Sequence, residues 1–396
     1  MKKFLALLIS FALIFTIKVD AQIISEEEVD YSPLPVVSEL EVGVPLSNVK
    51  SAVLIDADSG KILFTENADE KLPPASITKI MSLLLVMEAI ENGQFTYETV
   101  LTCSDTAAKL GGSQIWLEPG EEMTVNDLIK AVAVVSANDA TVLLAEAVAG
   151  SEEGFVTLMN SKAKSLGMNS TNFINSTGLD AENHYSSAYD VALMSKELLK
   201  HKKITEYTTV WMDTLRNGES QLVSTNKLVR FYNGCTGLKT GTTADAGYCL
   251  SASASRDGLN LIAVAMGADT SANRFSACQK LLNFGFANYC NAQINTNENL
   301  PETVAVKKGT KRSVHIEKNE NYYALIKKNQ KEKIKTEVII PEYVTAPIKK
   351  GDKIGELRIL CDGEEIGVLS INANEDVYGI NIWRSFAILL KYLFTL

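Results

Sequence analysis

The sequence predicts a mixed α/β fold of the α+β kind, with one sheet completed by segments far apart in the chain, followed by a small all-β domain. Three observations predict it. A hairpin pattern at residues 51–64 and three strand-like runs after residue 233 enclose a middle, residues 76–212, whose pattern is mostly helical. Beyond about residue 295 the pattern changes to short alternating strands separated by Lys-rich turns. The chain has 396 residues, 46% hydrophobic and 22% charged, which is globular in composition and too long for one average domain.

In chain order, Lys2 and Lys3 precede an apolar run over residues 4–17, and Val19-Asp20-Ala21 offers small residues where a signal peptidase inspects the chain. Residues 1–21 are therefore expected to be a secretory signal. An uncleaved anchor is the alternative, although the run is shorter than the roughly 20 apolar residues of a spanning helix. Either way the protein is exported. Residues 22–47 carry neither helical nor strand periodicity and are expected to be a linker. The larger domain is expected over residues 48–292. Its hairpin turns at Asp58-Ser59-Gly60, its helix over residues 77–90 is apolar all round and so must be buried, and Thr124-Val125-Asn126-Asp127 opens a further helix with an N-cap. A last helix over residues 272–289 closes it.

The β-domain is expected over residues 296–376; residues 301–376 of it carry 14 basic against 13 acidic side chains, which is a solvated surface and excludes a nucleic-acid patch. Residues 377–396 are expected to form an amphipathic helix. Asn381, Arg384, Ser385, Lys391, Tyr392 and Thr395 fall on one face, and Ile382, Trp383, Phe386, Leu389, Leu390, Leu393 and Phe394 cover the rest. That pattern suits an anchor lying flat on a membrane surface; a core helix of the β-domain is the alternative. The six cysteines lack metal-ligand spacing and are expected to be buried thiols, and no metal or organic cofactor is implied.

Three motifs carry candidate chemistry. Lys239-Thr240-Gly241 sits on a short strand after the turn Asn233-Gly234, with a glycine where a ligand's backbone could approach. Ser-x-x-Lys occurs four times, and context selects Ser76 with Lys79, since only that copy follows a Pro-Pro pair and opens a buried helix. A nucleophile there meets unpaired N–H groups and the positive end of the helix dipole, with Lys79 one turn on along the same face. A lysine can serve as base only when its neutral form is populated, which burial and neighbouring positive charge promote. Third, Ser136-Ala137-Asn138 places two polar groups inside a strongly apolar region, where they need partners.

This order of motifs is the known signature of penicillin-binding proteins and class A β-lactamases. With Met159-Asn160, Leu166-Gly167-Met168, Thr171-Asn172-Phe173, Gly178-Leu179 and residues 184–190, the chain resembles the serine D-alanyl-D-alanine carboxypeptidases, the low-molecular-mass penicillin-binding proteins. The resemblance implies a β-lactamase/transpeptidase-like antiparallel sheet flanked by helices, with a helical subdomain. It implies an acyl-enzyme on Ser76, Lys79 as general base, Ser136 as proton relay to the leaving amine, and Asn138 as donor to the substrate amide and to Lys79. The N–H groups of Ser76 and Thr242 would form the oxyanion hole, Gly241 would let the substrate add as a strand, and Lys239, Thr240 and Arg274 would bind the terminal carboxylate. The implied substrates are peptidoglycan stem peptides ending in D-Ala-D-Ala, with β-lactams as covalent inhibitors, at the outer face of the cytoplasmic membrane. His184 with Asp190 suggests a Ser-His-Asp triad, but in the family this histidine lies near the cleft without being the base. A β-lactamase and a catalytically idle β-lactam sensor are the rival readings. The first lacks a motif for a glutamate-bearing loop, and the second is at odds with three intact motifs.

Overall fold

The computed structural model describes residues 22–24, 46, 48–381, 383 and 386. The expected signal segment, most of the expected linker and most of the expected terminal helix lie outside the described residues. The chain divides into two compact units, one formed by Met1–Ser255 with Leu261–Leu282, the other by Arg256–Asn260 with Asn283–Leu396.

The first unit is built on a five-stranded sheet of β1 (Ser51–Asp56), β2 (Ile62–Glu66), β3 (Cys235–Thr243), β4 (Gly247–Arg256) and β5 (Leu259–Ala268), in the order β2-β1-β5-β4-β3. Strand β1 pairs antiparallel with β2 and β5, and β3 pairs antiparallel with β4. The two-residue connection from β4 to β5 is one that only an antiparallel pair permits. Val53 thus lies opposite Val264, so the two ends of the domain meet in one sheet. All six residues of β1 are buried, which covers both of its faces.

Alternation divides the strand residues between two layers. Val53, Ile55, Ile262 and Val264 join the main core with α1 (Lys79–Glu91), α2 (Val125–Val135), α3 (Asn138–Ala149), α4 (Glu152–Ser165) and α5 (Ala188–Leu198). On the opposite face lies α6 (Ser271–Asn288), whose Cys278 Sγ is 3.6 Å from the Ala263 carbonyl oxygen. Ten of the thirteen residues of α1 are buried, as its all-round apolar sequence requires. Thr124 caps α2, its hydroxyl accepting from Asp127 N, and Asp56 closes the first hairpin by accepting from Ser59 N. The fold is the antiparallel sheet with flanking helices that the sequence led us to expect.

Among the described residues the second unit is all-β but for one short 3₁₀ turn, the end of α6 and the helical Trp383 and Phe386. Strand β6 (Tyr289–Ile294) pairs with β9 (Tyr322–Lys327); β7 (Thr303–Lys307) lies between β8 (Ser313–His315) and β11 (Tyr343–Thr345). Strands β10 (Ile334–Ile339), β12 (Lys353–Cys361) and β13 (Glu364–Asn372) form an antiparallel meander. Its core gathers Val304, Val314, Ile354, Leu357, Ile371 and Val377.

Three boundaries differ from expectation. The closing helix stops at Asn288 and Tyr289 begins β6, because Ala292 and Ile294 alternate into the β-domain core, a period of two that no helix can satisfy. At the other end, residues 377–380 are extended rather than helical. Val377 bridges Ile348, Gly379 bridges Gly309, and Ile380 N donates to Lys308 O, so sheet partners override the local helical pattern. Within the expected linker, Gln22–Ile24 form a strand parallel to Ser220–Val223. All six cysteines are free. Among the described residues no helix is long and apolar enough to cross a membrane.

Candidate active site

A 3₁₀ turn, Ala75–Thr78, carries Ser76 into α1, so the serine lies in a tight turn just ahead of the helix rather than in its first α-turn. Ile77, Thr78, Lys79 and Ile80 are buried around it, while Ser76 itself is half-buried. Lys79 is 0% exposed; its Nζ lies 2.9 Å from Ser76 Oγ and donates to the Thr177 carbonyl at 2.7 Å. Removing an ammonium from water penalises its charged form, so a lysine in this setting is a candidate proton acceptor.

Two glycines press on this turn. A Cβ on Gly241 would lie 2.9 Å from the backbone nitrogens of Ser76 and Ile77 and 3.0 Å from Pro74 O. The approach that demands glycine here is that of the protein's own nucleophile turn, where the sequence had suggested a ligand. On another side, Gly178 has φ +87°, and a Cβ there would fall 1.9 Å from Ala75 O. Sequence reasoning quoted Gly178 for its resemblance but gave it no role. The segment around it is tightly bonded: Asn175 Oδ1 accepts from Gly178 N, Glu152 accepts from Ser176, and Ser82 Oγ donates to Ser176 O. The polar run Asn175-Ser176-Thr177-Gly178 after the buried Phe173 was the signal that could have found it.

His184 bridges the same turn to the segment before Gly178. Its Nδ1 accepts from Ile174 N at 3.2 Å, which leaves the proton on Nε2 to be donated to Thr78 Oγ1 at 3.0 Å. Burial pushes its pKa down to about 4, opposed by the charge of Asp180. Asp190 instead accepts from Ser170 N and Thr171 Oγ1. The two residues that suggested a triad serve separate bonds.

Ser136 caps the C-terminus of α2 with φ +67°, and Asn138 opens α3. Both are buried, and Ser136 Oγ and Asn138 Oδ1 have no hydrogen-bond partner among the described residues. Unsatisfied buried acceptors are costly, and functional sites are where they persist. Asn138 Nδ2 donates to the Gly111 carbonyl at 2.7 Å, where the resemblance suggested Lys79 as its partner. The neighbouring Asp139 is fully buried and accepts from Ile115 N and Leu117 N, which fastens residues 111–117 to the motif.

Strand β3 closes one edge of the sheet, the position at which a strand can be added, although its Thr240 O and Gly241 O already accept from Lys239 Nζ and Arg274 Nη1. Lys239 and Thr240 are buried within it; Lys239 Nζ donates to Thr240 O, and the Thr240 and Thr225 hydroxyls lie 2.6 Å apart. Arg274 was expected on the way into the last helix, facing a substrate carboxylate. It lies inside α6, 0% exposed, with Nη1 donating to Gly241 O and Thr242 Oγ1 and Nη2 to Ser271 Oγ, so these bonds tie the strand to its own helix.

A half-buried hydroxyl on a buried amine, an edge strand beside it, and two unsatisfied buried oxygens together suit acyl transfer. The sequence profile of the D-alanyl-D-alanine carboxypeptidase family matches residues 39–270, and that of the penicillin-binding protein 5 C-terminal domain matches residues 292–378. D-alanyl-D-alanine carboxypeptidase DacF of Bacillus subtilis is 45% identical over 332 residues, 83% of this chain and 85% of the relative. The crystal structure of penicillin binding protein 5 from Haemophilus influenzae aligns with a TM-score of 0.72 at 31% identity, covering 85% of this chain and 99% of the other. Penicillin-Binding Protein D2 of Listeria monocytogenes in its ampicillin-bound form aligns at 0.55 with 33% identity, over 60% of this chain and 97% of the other.

Proposed function

The chain belongs to the D-alanyl-D-alanine carboxypeptidase family and is a serine-type peptidase, and from that premise we propose that it removes the terminal D-alanine of peptidoglycan stem peptides through an acyl-enzyme on Ser76. The observation that carries this reading is the 2.9 Å approach of the buried Lys79 Nζ to Ser76 Oγ. In its neutral form Lys79 keeps a donor for Thr177 O and offers its lone pair to the Ser76 hydroxyl proton. Ser76 Oγ then attacks the carbonyl between the two D-alanines, and the N–H groups of Ser76 and Thr242 stabilise the resulting oxyanion. Collapse breaks the C–N bond. Ser136 relays to the departing D-alanine amine the proton that Lys79 took from Ser76, which returns Lys79 to its neutral form; Lys79 then deprotonates water, which attacks the ester, and passes that proton to the departing Ser76 Oγ.

Lys239 and Thr240 meet the substrate's terminal carboxylate in this reading, with Asn138 on the amide one residue upstream. Arg274 serves indirectly, holding Gly241 and Thr242 in register from beneath. A β-lactam carries a carboxylate and a reactive amide in similar relation, so the same steps acylate Ser76 and stop there. The ampicillin-bound form of the Listeria relative supports this extension. The protein acts outside the cytoplasmic membrane, exported by residues 1–21 and held peripherally by an amphipathic helix within residues 381–396.

The test is release of free D-alanine from diacetyl-lysyl-D-alanyl-D-alanine. Steady turnover by the wild type is expected, lost in Ser76→Ala and strongly suppressed in Lys79→Arg, whose guanidinium cannot supply a neutral nitrogen. Undiminished turnover in either variant would overturn the assignment of that residue.

A further inference from the structure

We propose that one end of the β-domain is a cationic collar that seats the protein on anionic phospholipid, a second membrane determinant beside the terminal helix. The inference deepens the location given above and rests on it. The described chain leaves the β-domain through residues 377–380, which are tied down by the Val377–Ile348 and Gly379–Gly309 bridges and by Ile380 N donating to Lys308 O at 2.8 Å. Those bonds set the exit beside two turns. One begins where β7 ends, at Lys307-Lys308; the other follows Ile348 and begins Lys349-Lys350. All four lysines are exposed.

The carboxylates at this end, Asp352, Glu375 and Asp376, offset part of the charge of Lys307, Lys308, Lys311, Lys349 and Lys350 and leave it net positive. Asp352 accepts from Lys349 N and Asp376 from Lys350 N, each at 2.7 Å, so both close the turn on which these lysines stand. Glu375 pairs with Lys311 and His315. Apolar groups accompany the lysines: Tyr378 is 56% and Ile380 44% exposed, and farther along the chain Trp383 is 79% and Phe386 58% exposed. The ammonium of Lys307 lies 3.1 Å from the centre of the Tyr343 ring.

Lysines, aromatic rings and an exposed isoleucine at the point where the chain runs toward its anchor match the chemistry of an anionic lipid surface. Headgroup phosphates attract the ammonium groups, and tyrosine and tryptophan rings settle at headgroup depth. A purely polyanionic partner would engage the lysines and leave Ile380, Trp383 and Phe386 in water. One apolar membrane signal alone binds weakly and reversibly, whereas an apolar signal joined to a basic patch holds. Each lysine near an anionic surface contributes about a fivefold gain in partition.

The test is flotation of the full-length protein with vesicles of phosphatidylcholine alone and of phosphatidylcholine mixed with phosphatidylglycerol. The wild type is expected to bind the mixed vesicles on the order of a hundredfold more tightly, with the gap closing at high salt. Replacing Lys307, Lys308, Lys349 and Lys350 together by Gln should close most of the gap, leaving the share owed to Arg384 and Lys391, while preserving binding to neutral vesicles, the melting temperature and hydrolysis of a soluble peptide. Equal binding of the wild type to both vesicles, or an unchanged gap in the variant, would overturn the collar and leave the helix standing. Binding to neither vesicle would overturn the anchor and the collar with it. Competition by inorganic phosphate beyond chloride of equal ionic strength would mean a phosphate pocket, and that too would overturn the proposal.

Discussion

His184 and Gly178 support the Ser76 turn without taking part in the proposed chemistry, and each yields a prediction. Because burial depresses His184 from 6.5 to about 4, the unfolded chain binds a proton that the folded chain refuses between those values. Its contribution to stability is therefore complete above pH 6.5, declines as pH falls toward 4, and is constant below; the full swing is on the order of 3 kcal/mol. Urea melts at pH 7.5 and 4.5 should show the wild type losing more stability over that interval than His184→Gln, and parallel losses would refute a neutral buried imidazole. Gly178→Ala places a Cβ 1.9 Å from Ala75 O on a backbone with φ +87°. We expect about 2 kcal/mol or more of destabilisation together with slowed acylation by a fluorescent penicillin, because the turn that must move carries Ser76. A Gly178→Ala protein that melts and labels like the wild type would mean the turn yields freely.

At the scale of elements, β3 is the strand proposed to join substrate to scaffold. It is an edge strand whose Gly241 lies against the Ser76 turn and is itself held, with Thr242, by Arg274. If Lys239 meets a substrate carboxylate, amidating the peptide's C-terminus should lower kcat/KM by roughly ten- to a hundredfold, the worth of a charge-assisted hydrogen bond of about 1.5 to 3 kcal/mol. Equal turnover of acid and amide would remove Lys239 and Thr240 from that role. The junction between α2 and α3 shows a similar economy: Asp139 fastens residues 111–117, whose Gly111 and Ser113 carbonyls hold the Asn138 side chain and backbone. The three-residue motif depends on a segment more than twenty positions upstream.

For the whole molecule, every candidate site residue from Ser76 to Arg274 belongs to the first unit, and the proposed membrane contacts belong to the end of the second. Removing residues 382–396 should therefore release the protein from membranes with peptide hydrolysis and melting temperature unchanged. Carbonate extraction of the full-length protein and thermal melting of the truncated one check both halves. If the segment were instead a core helix of the β-domain, its loss would expose a large apolar face and cost several kcal/mol, a large share of a domain's stability.

Local pattern alone determined much of this protein. The all-round apolar run after Ser76 required a buried helix, the turn at Asp58-Ser59-Gly60 required a hairpin, and the order of three short motifs identified the family, because these signals are carried by residues adjacent in sequence. Only the tertiary structure decided what depends on distant segments meeting. It gave Gly241 its reason in the backbone of Ser76, turned Arg274 inward onto β3, and gave Asn138 the Gly111 carbonyl as partner. It also drew Tyr289 and residues 377–380 into sheets, where backbone hydrogen bonds to far-off strands outweigh the helical pattern of the neighbours. A sequence states which side chains must be buried; which backbone atom waits for each of them is settled only when the chain has closed on itself.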